Sequence, residues 1–185
     1  MTNETQRRAA QHEVWAADLS ALRSHLPAMQ TSQAELSHGA RQLSLTQGTA
    51  TSIYAWNGLN TLADLHAATI SSLVQDHDFS ARVLAQDAIQ LAVNVVYVLD
   101  DPGGDRLTGA LRHLLDAQTM RFAAWRAVAP ENEAASKRAE QLAAECRQSP
   151  WYASAPTWPP LGVRADAVGF GQWVHPVQAA AANAE

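Results

Sequence analysis

The sequence predicts a single all-α domain spanning residues 1–185, folded as a helical bundle of five or six helices. Three observations carry that prediction. Alanine and leucine dominate a chain that is 47% hydrophobic, and β-branched runs are scarce. No stretch alternates apolar and polar residues with period two, as a half-buried strand would. Several long segments instead repeat apolar residues at helical spacing and stop at proline or glycine.

The first helix is predicted from about Glu4 to Leu26, ending before Pro27, because proline lacks the N–H that a helix interior needs. Residues 1–50 give the least definite reading, with a short helix around Ala34–Leu45 closed by Gly48. A long helix follows at Thr51–Gln75. Its apolar face holds Trp56, Leu59, Leu62, Ala63, Ile70, Leu73 and Val74, with His66 near the middle. "DHDFS" breaks it, and Asp78 is placed to cap a third helix running to Leu99. In "DDPGGDR" at 100–106, proline and paired glycines make a turn, and Asp105 can cap the fourth helix. That helix runs to about Val128 and stops before Pro130. Its apolar face is Leu107, Leu111, Leu114, Leu115, Phe122 and Trp125, arranged around Gln118 with Arg121 at the edge. "PENEAASKRAEQLAAECRQSP" suits a fifth helix, acidic at its start and basic near its end, as the helix dipole favours. Residues 149–160 carry four prolines and three aromatics, and read as an extended connection packed through Trp151, Tyr152 and Trp158, with a partner-binding segment as the alternative. A sixth helix is expected from Leu161 to about Val174, stopped by Pro176, with 176–185 as a frayed tail.

Composition narrows the function classes. A net charge of −5 argues against broad binding to a phosphate backbone, since counterion release needs clustered Lys and Arg, although a local basic patch stays open. Cys146 is the only cysteine, which excludes a disulfide framework and a thiolate zinc site and suits a reducing cytoplasm. The N-terminus lacks the apolar core of a signal peptide. Residues 79–99 are long enough to span a bilayer. Arg82, Asp87 and three amides stand against that, each charge costing about 2.5–3.5 kcal/mol near a membrane centre, so no membrane association is expected.

Within that third helix Arg82, Gln86, Gln90 and Asn94 recur at steps of four. With Arg82 at zero, they fall at roughly 40°, 80° and 120° around the helix, with Asp87 near 140°. Apolar residues fill the opposite sector, so the row is the polar face of an amphipathic helix. Amides mixed with Phe79, Val83, Val93 and Tyr97 also suit partial burial, where each polar group needs a partner. Three readings stay open: a solvent face, a buried polar seam with His66 and Gln118, or a ligand groove.

Other chemistry finds little support. A carboxylate-bridged metal site needs two Glu-x-x-His motifs and two further glutamates, and the chain offers only Glu35 with His38, so no metal or cofactor is expected. Gly-rich phosphate loops and G-x-S-x-G elbows are missing. Arg112 and Asp116 have the spacing of a surface ion pair, and His113 reads as surface. Arg7 and His12 match an Arg-x4-His spacing that a chain of this composition produces by chance.

The runs "RVLAQDAIQLAVNVVYVL", "LRHLLDAQTMRFAAW" and "VRADAVGFGQWVHP" resemble an uncharacterised bacterial family, domain of unknown function 5677, across about residues 60–175. That family is similar to the all-helical HEPN-type bundles of toxin–antitoxin and phage-defence systems. The resemblance implies that Arg82 matches the family's core-helix arginine and Arg164 its late arginine. Gln86 stands where the family carries Glu, which removes an acid–base group. It further implies a shortened or degenerate member, because relatives continue with more helix after His175. The resulting expectation is a bacterial, cytoplasmic module that binds a protein partner or a second copy of itself. The alternative is a ribonuclease-like toxin centred on Arg82 and His66.

Overall fold

The computed structural model describes residues 20–21, 23–43, 49–128 and 133–182. Among these the chain is helical throughout, with no strand. Eight helices are delimited: α1 (Leu26–Leu43), α2 (Ala50–Val74), α3 (Asp78–Leu99), α4 (Asp105–Val128), α5 (Glu133–Arg147), α6 (Pro150–Ser154), α7 (Leu161–Ala167) and α8 (Gly171–Ala182). The all-α class therefore holds, while a count of five or six helices is too low.

The differences have local causes. The predicted helix at 4–26 lies mostly outside the described residues. The described residues before Pro27 are helical to Ser24 and turn at His25, so a helix does stop before the proline; Pro27 itself sits in the first turn of α1, where its missing N–H has no helical acceptor to lose. Residues 149–160 are not wholly extended, because Pro150 opens the short helix α6. The expected sixth helix is two, α7 and α8. Gly169 takes φ 77° between them, and the Phe170 N–H reaches back to the Ala165 carbonyl at 2.7 Å, so the left-handed residue ends α7 and turns the chain. Pro176 falls inside α8 rather than after it.

Contacts divide the chain into two compact units, Met1–Ala92 and Val93–Glu185, with the boundary inside α3. In the first unit, α1 packs on α2. Thr49 caps α2, its hydroxyl accepting the Ser52 N–H at 3.2 Å. At the other end Asp76 adopts φ 59°, and Arg23 binds its carboxylate at 2.5 Å. The His77 N–H meets the Ser72 carbonyl at 2.8 Å, which satisfies a helix-end acceptor. The buried line on α2 is Ala55, Gly58, Ala63, Thr69 and Leu73. Trp56 and Val74, expected on the core face, are exposed instead. Small side chains let a neighbouring backbone approach closely, so they take the contact and the bulky neighbours are left outside.

In the second unit the core is built by Val93, Val95 and Val98 of α3, Leu107 and Ala110 of α4, Ala143 of α5, Ala155, Ala165 of α7 and Val174 of α8. The turn before α4 is held by Asp101 rather than by Asp105. Its carboxylate accepts the Gly103 N–H at 3.0 Å and the Arg106 N–H at 2.7 Å, while Asp105 is the first residue of the helix. These backbone donors, that of Arg106 foremost, hold the Asp101 carboxyl below the usual carboxylate range. α5 packs on α4, α6 touches both, and α7 packs on α8.

Candidate functional site

The polar row of α3 does not share one environment. Arg82, Asp87 and Gln90 are exposed, whereas Gln86 and Asn94 are half-buried. Asn94 Oδ1 accepts a hydrogen bond from Arg164 Nη1 of α7. Arg164 is only 4% exposed, so a guanidinium stands in the core of the second unit. Burying a charge is tolerated where partners replace its hydration, and the Trp158 ring supplies another, 4.6 Å from the guanidinium carbon.

Around this pair the aromatic residues are interlocked. Trp158 meets Tyr97 edge-on at 5.5 Å and stacks with His113 at 6.3 Å. Arg106 covers the Tyr97 ring at 4.2 Å and donates to the Tyr97 carbonyl at 3.0 Å and to Asp100 at 3.1 Å. His113 is exposed, as a surface residue should be, but one of its faces is engaged. A second polar cluster ties α4 to α5 and α6. The Tyr152 hydroxyl donates to Asp116 at 2.8 Å, and Arg147 reaches Asp116 at 3.4 Å and Thr119 at 2.7 Å. Arg112 donates to the Ala155 carbonyl at 2.9 Å and lies 5.1 Å from the Tyr152 ring. Both members of the expected Arg112–Asp116 pair are thus committed to the 147–155 segment, because that segment crosses the face of α4 on which they stand.

A third feature is a hydrogen bond between the His175 ring and the Asp166 carboxylate at 2.8 Å, which sequence reasoning missed. Its legible signal was the pair of glycines beside it. A Cβ at Gly171 would stand 1.9 Å from the Asp166 carboxylate, and one at Gly162 would meet the His175 ring at 3.1 Å. Both side chains are more than half exposed, so the pair joins α7 to α8 at the surface.

In the first unit, His66 is half-buried and bonded through Nδ1 to Gln33 of α1 at 2.9 Å. Burial pushes its pKa below the ordinary histidine value. Gln118 and Arg121 stand exposed on α4. Of the residues in the buried-seam alternative, Gln118 is exposed, and the buried polar contact of the α3 row is that of Asn94 with Arg164. Among the described residues, no three His, Cys, Asp or Glu side chains gather as a metal ion would require. The polar clusters described above join helices to one another.

What remains is a set of exposed apolar side chains on α3. α3 is long and apolar enough to cross a membrane by length and composition alone, yet only 22% of its most apolar window is buried. Phe79 is 80% exposed, and Val83, Val96 and Leu99 are also exposed. Val96 and Leu99 belong to the apolar sector opposite the polar row. No protein family, curated protein or solved structure matches the chain.

Proposed function

We propose that the protein is a non-enzymatic interaction module, HEPN-like in its helical build, whose α3 binds a protein partner or a second copy of the chain in a bacterial cytoplasm. One observation supports this most directly: only 22% of the long apolar window of α3 is buried, and Phe79 stands almost wholly in solvent. Apolar surface left in water is a standing source of binding free energy, roughly 25 cal/mol for each Å² that a partner removes. Arg82, Asp87 and Gln90 interrupt the face in a way that suits a protein surface better than lipid. The net charge of −5 favours a protein over a nucleic acid.

The test is a photo-crosslinking amino acid in place of Phe79, introduced in the cells that make the protein. Protein adducts at that position support the module. Absence of any adduct sinks it. Metal-independent cleavage of RNA by the purified chain, lost in His66→Ala or Arg82→Ala while folding is kept, would replace it with the ribonuclease reading.

A further inference from the structure

We infer that the chain's own segment 15–22 is a strap that closes over Phe79 and Val83 of α3 and gives way to the partner; the inference rests on the interaction reading above. Phe79 is 80% exposed and Val83 40%, and one helical turn apart they share one side of α3. Both stand just past the corner between α2 and α3, where Asp76 binds Arg23 at 2.5 Å. Ser20, Ala21, Arg23 and Ser24 are helical, so the chain enters this corner as helix. All of these residues lie in the first unit.

The sequence before Arg23 fits what the corner leaves exposed. Trp15, Leu19 and Leu22 are spaced four and three apart, so on the helix expected from Glu4 they fall within a sector of about 60°. Leu19 stands one turn before Arg23 and about 40° around from it, on the side that reaches the corner. A helix through 15–24 arrives at the corner and α3 leaves it, so the two run antiparallel. Equal steps of about 6 Å then set Leu19 beside Phe79 and Trp15 beside Val83. The neighbouring side of α2 is a poorer seat: beyond Val74 its exposed residues at helical spacing are Ser71, Ala67 and Asp64, which offer an apolar stripe little to cover. Because Arg23 holds its end, the strap meets the face at an effective concentration on the order of millimolar. A free partner therefore binds in competition, its apparent affinity reduced by the fraction of chains in which the strap is closed.

The experiment places the photo-crosslinking amino acid at position 79 and maps its adducts in the dilute purified full chain as well as in cells. Adducts to residues 15–22 of the same chain are expected. Trp15→Asp and Leu19→Asp should each lower them about fivefold or more, since a carboxylate does not enter an apolar contact, and raise the protein adducts in cells at least about twofold. Trp15→Phe should behave as the parent chain, and circular dichroism checks that each variant stays helical. A purified chain without adducts to 15–22, or with adducts indifferent to both aspartates, overturns the strap. Adducts between two copies that grow with concentration do the same. Protein adducts in cells without the intrachain ones defeat the strap alone, whereas no adduct of either kind defeats the interaction reading with it. Intrachain adducts that no partner replaces, even in Leu19→Asp, make the segment a fixed part of the bundle and defeat both.

Discussion

Arg164 and Arg82 show how far position outweighs residue type. Both are arginines that the family resemblance singles out, yet one is 4% exposed and bonded to Asn94, and the other is exposed. Asn94→Leu removes an acceptor from a buried guanidinium and is expected to cost about 1–3 kcal/mol. Arg82→Ala, at an exposed position, should cost no more than about 1 kcal/mol, less than the Asn94 change. Urea denaturation of the two variants checks both, and equal losses would contradict the assignment of burial. His66 adds a pH dependence with a definite sign. Its folded pKa lies below the unfolded value, so the unfolded chain binds the proton more readily. Its contribution to stability is therefore full above the unfolded value and lost as pH falls through the folded one. His66→Gln should flatten the loss of stability on acidification below neutral pH; an unchanged profile would show that the ring does not carry it.

At the scale of elements, two helical glycines separate intrinsic helix propensity from packing. Gly39 on α1 has open space where a Cβ would go, and Gly39→Ala should stabilise the protein by about 0.5–1 kcal/mol, the usual gain from removing glycine from a helix. Gly109 on α4 lies beneath the 155–160 segment. A Cβ there would stand 3.1 Å from the Pro156 carbonyl oxygen and 3.3 Å from its ring. Gly109→Ala should therefore lose that gain and destabilise, with faster amide exchange in the adjoining connection. Thermal melts of the two variants should move in opposite directions. The glycines were visible in the sequence, but their difference was not, because it depends on a segment forty-odd residues further on. Helix stops show the same limit: "DDPGG" reads clearly as a break, while the turn at Gly169 passed as continuous helix because no proline stands beside its glycine.

For the whole molecule, the helical class is expected to give a far-ultraviolet circular dichroism spectrum dominated by helix. The apolar length of α3 needs a separate check, since composition alone would also let it cross a membrane. The interaction reading predicts that the purified chain stays with the aqueous fraction when floated with anionic or neutral lipid vesicles. Co-flotation would transfer the uncovered face of α3 from a protein partner to lipid.

The sequence by itself determined the all-α class, the spans of α2, α3 and α4 to within a residue or two, and the amphipathic row on α3, because helix periodicity and chain breaks are written in near neighbours. Tertiary structure decided which members of that row are covered. Asn94 meets Arg164 across 70 residues, and no local pattern encodes that contact. It also decided that Ala55, Gly58 and Ala63, rather than Trp56 and Val74, would take the buried line of α2. A helical wheel records which residues share a side, but the free energy of covering a side depends on what fits against it.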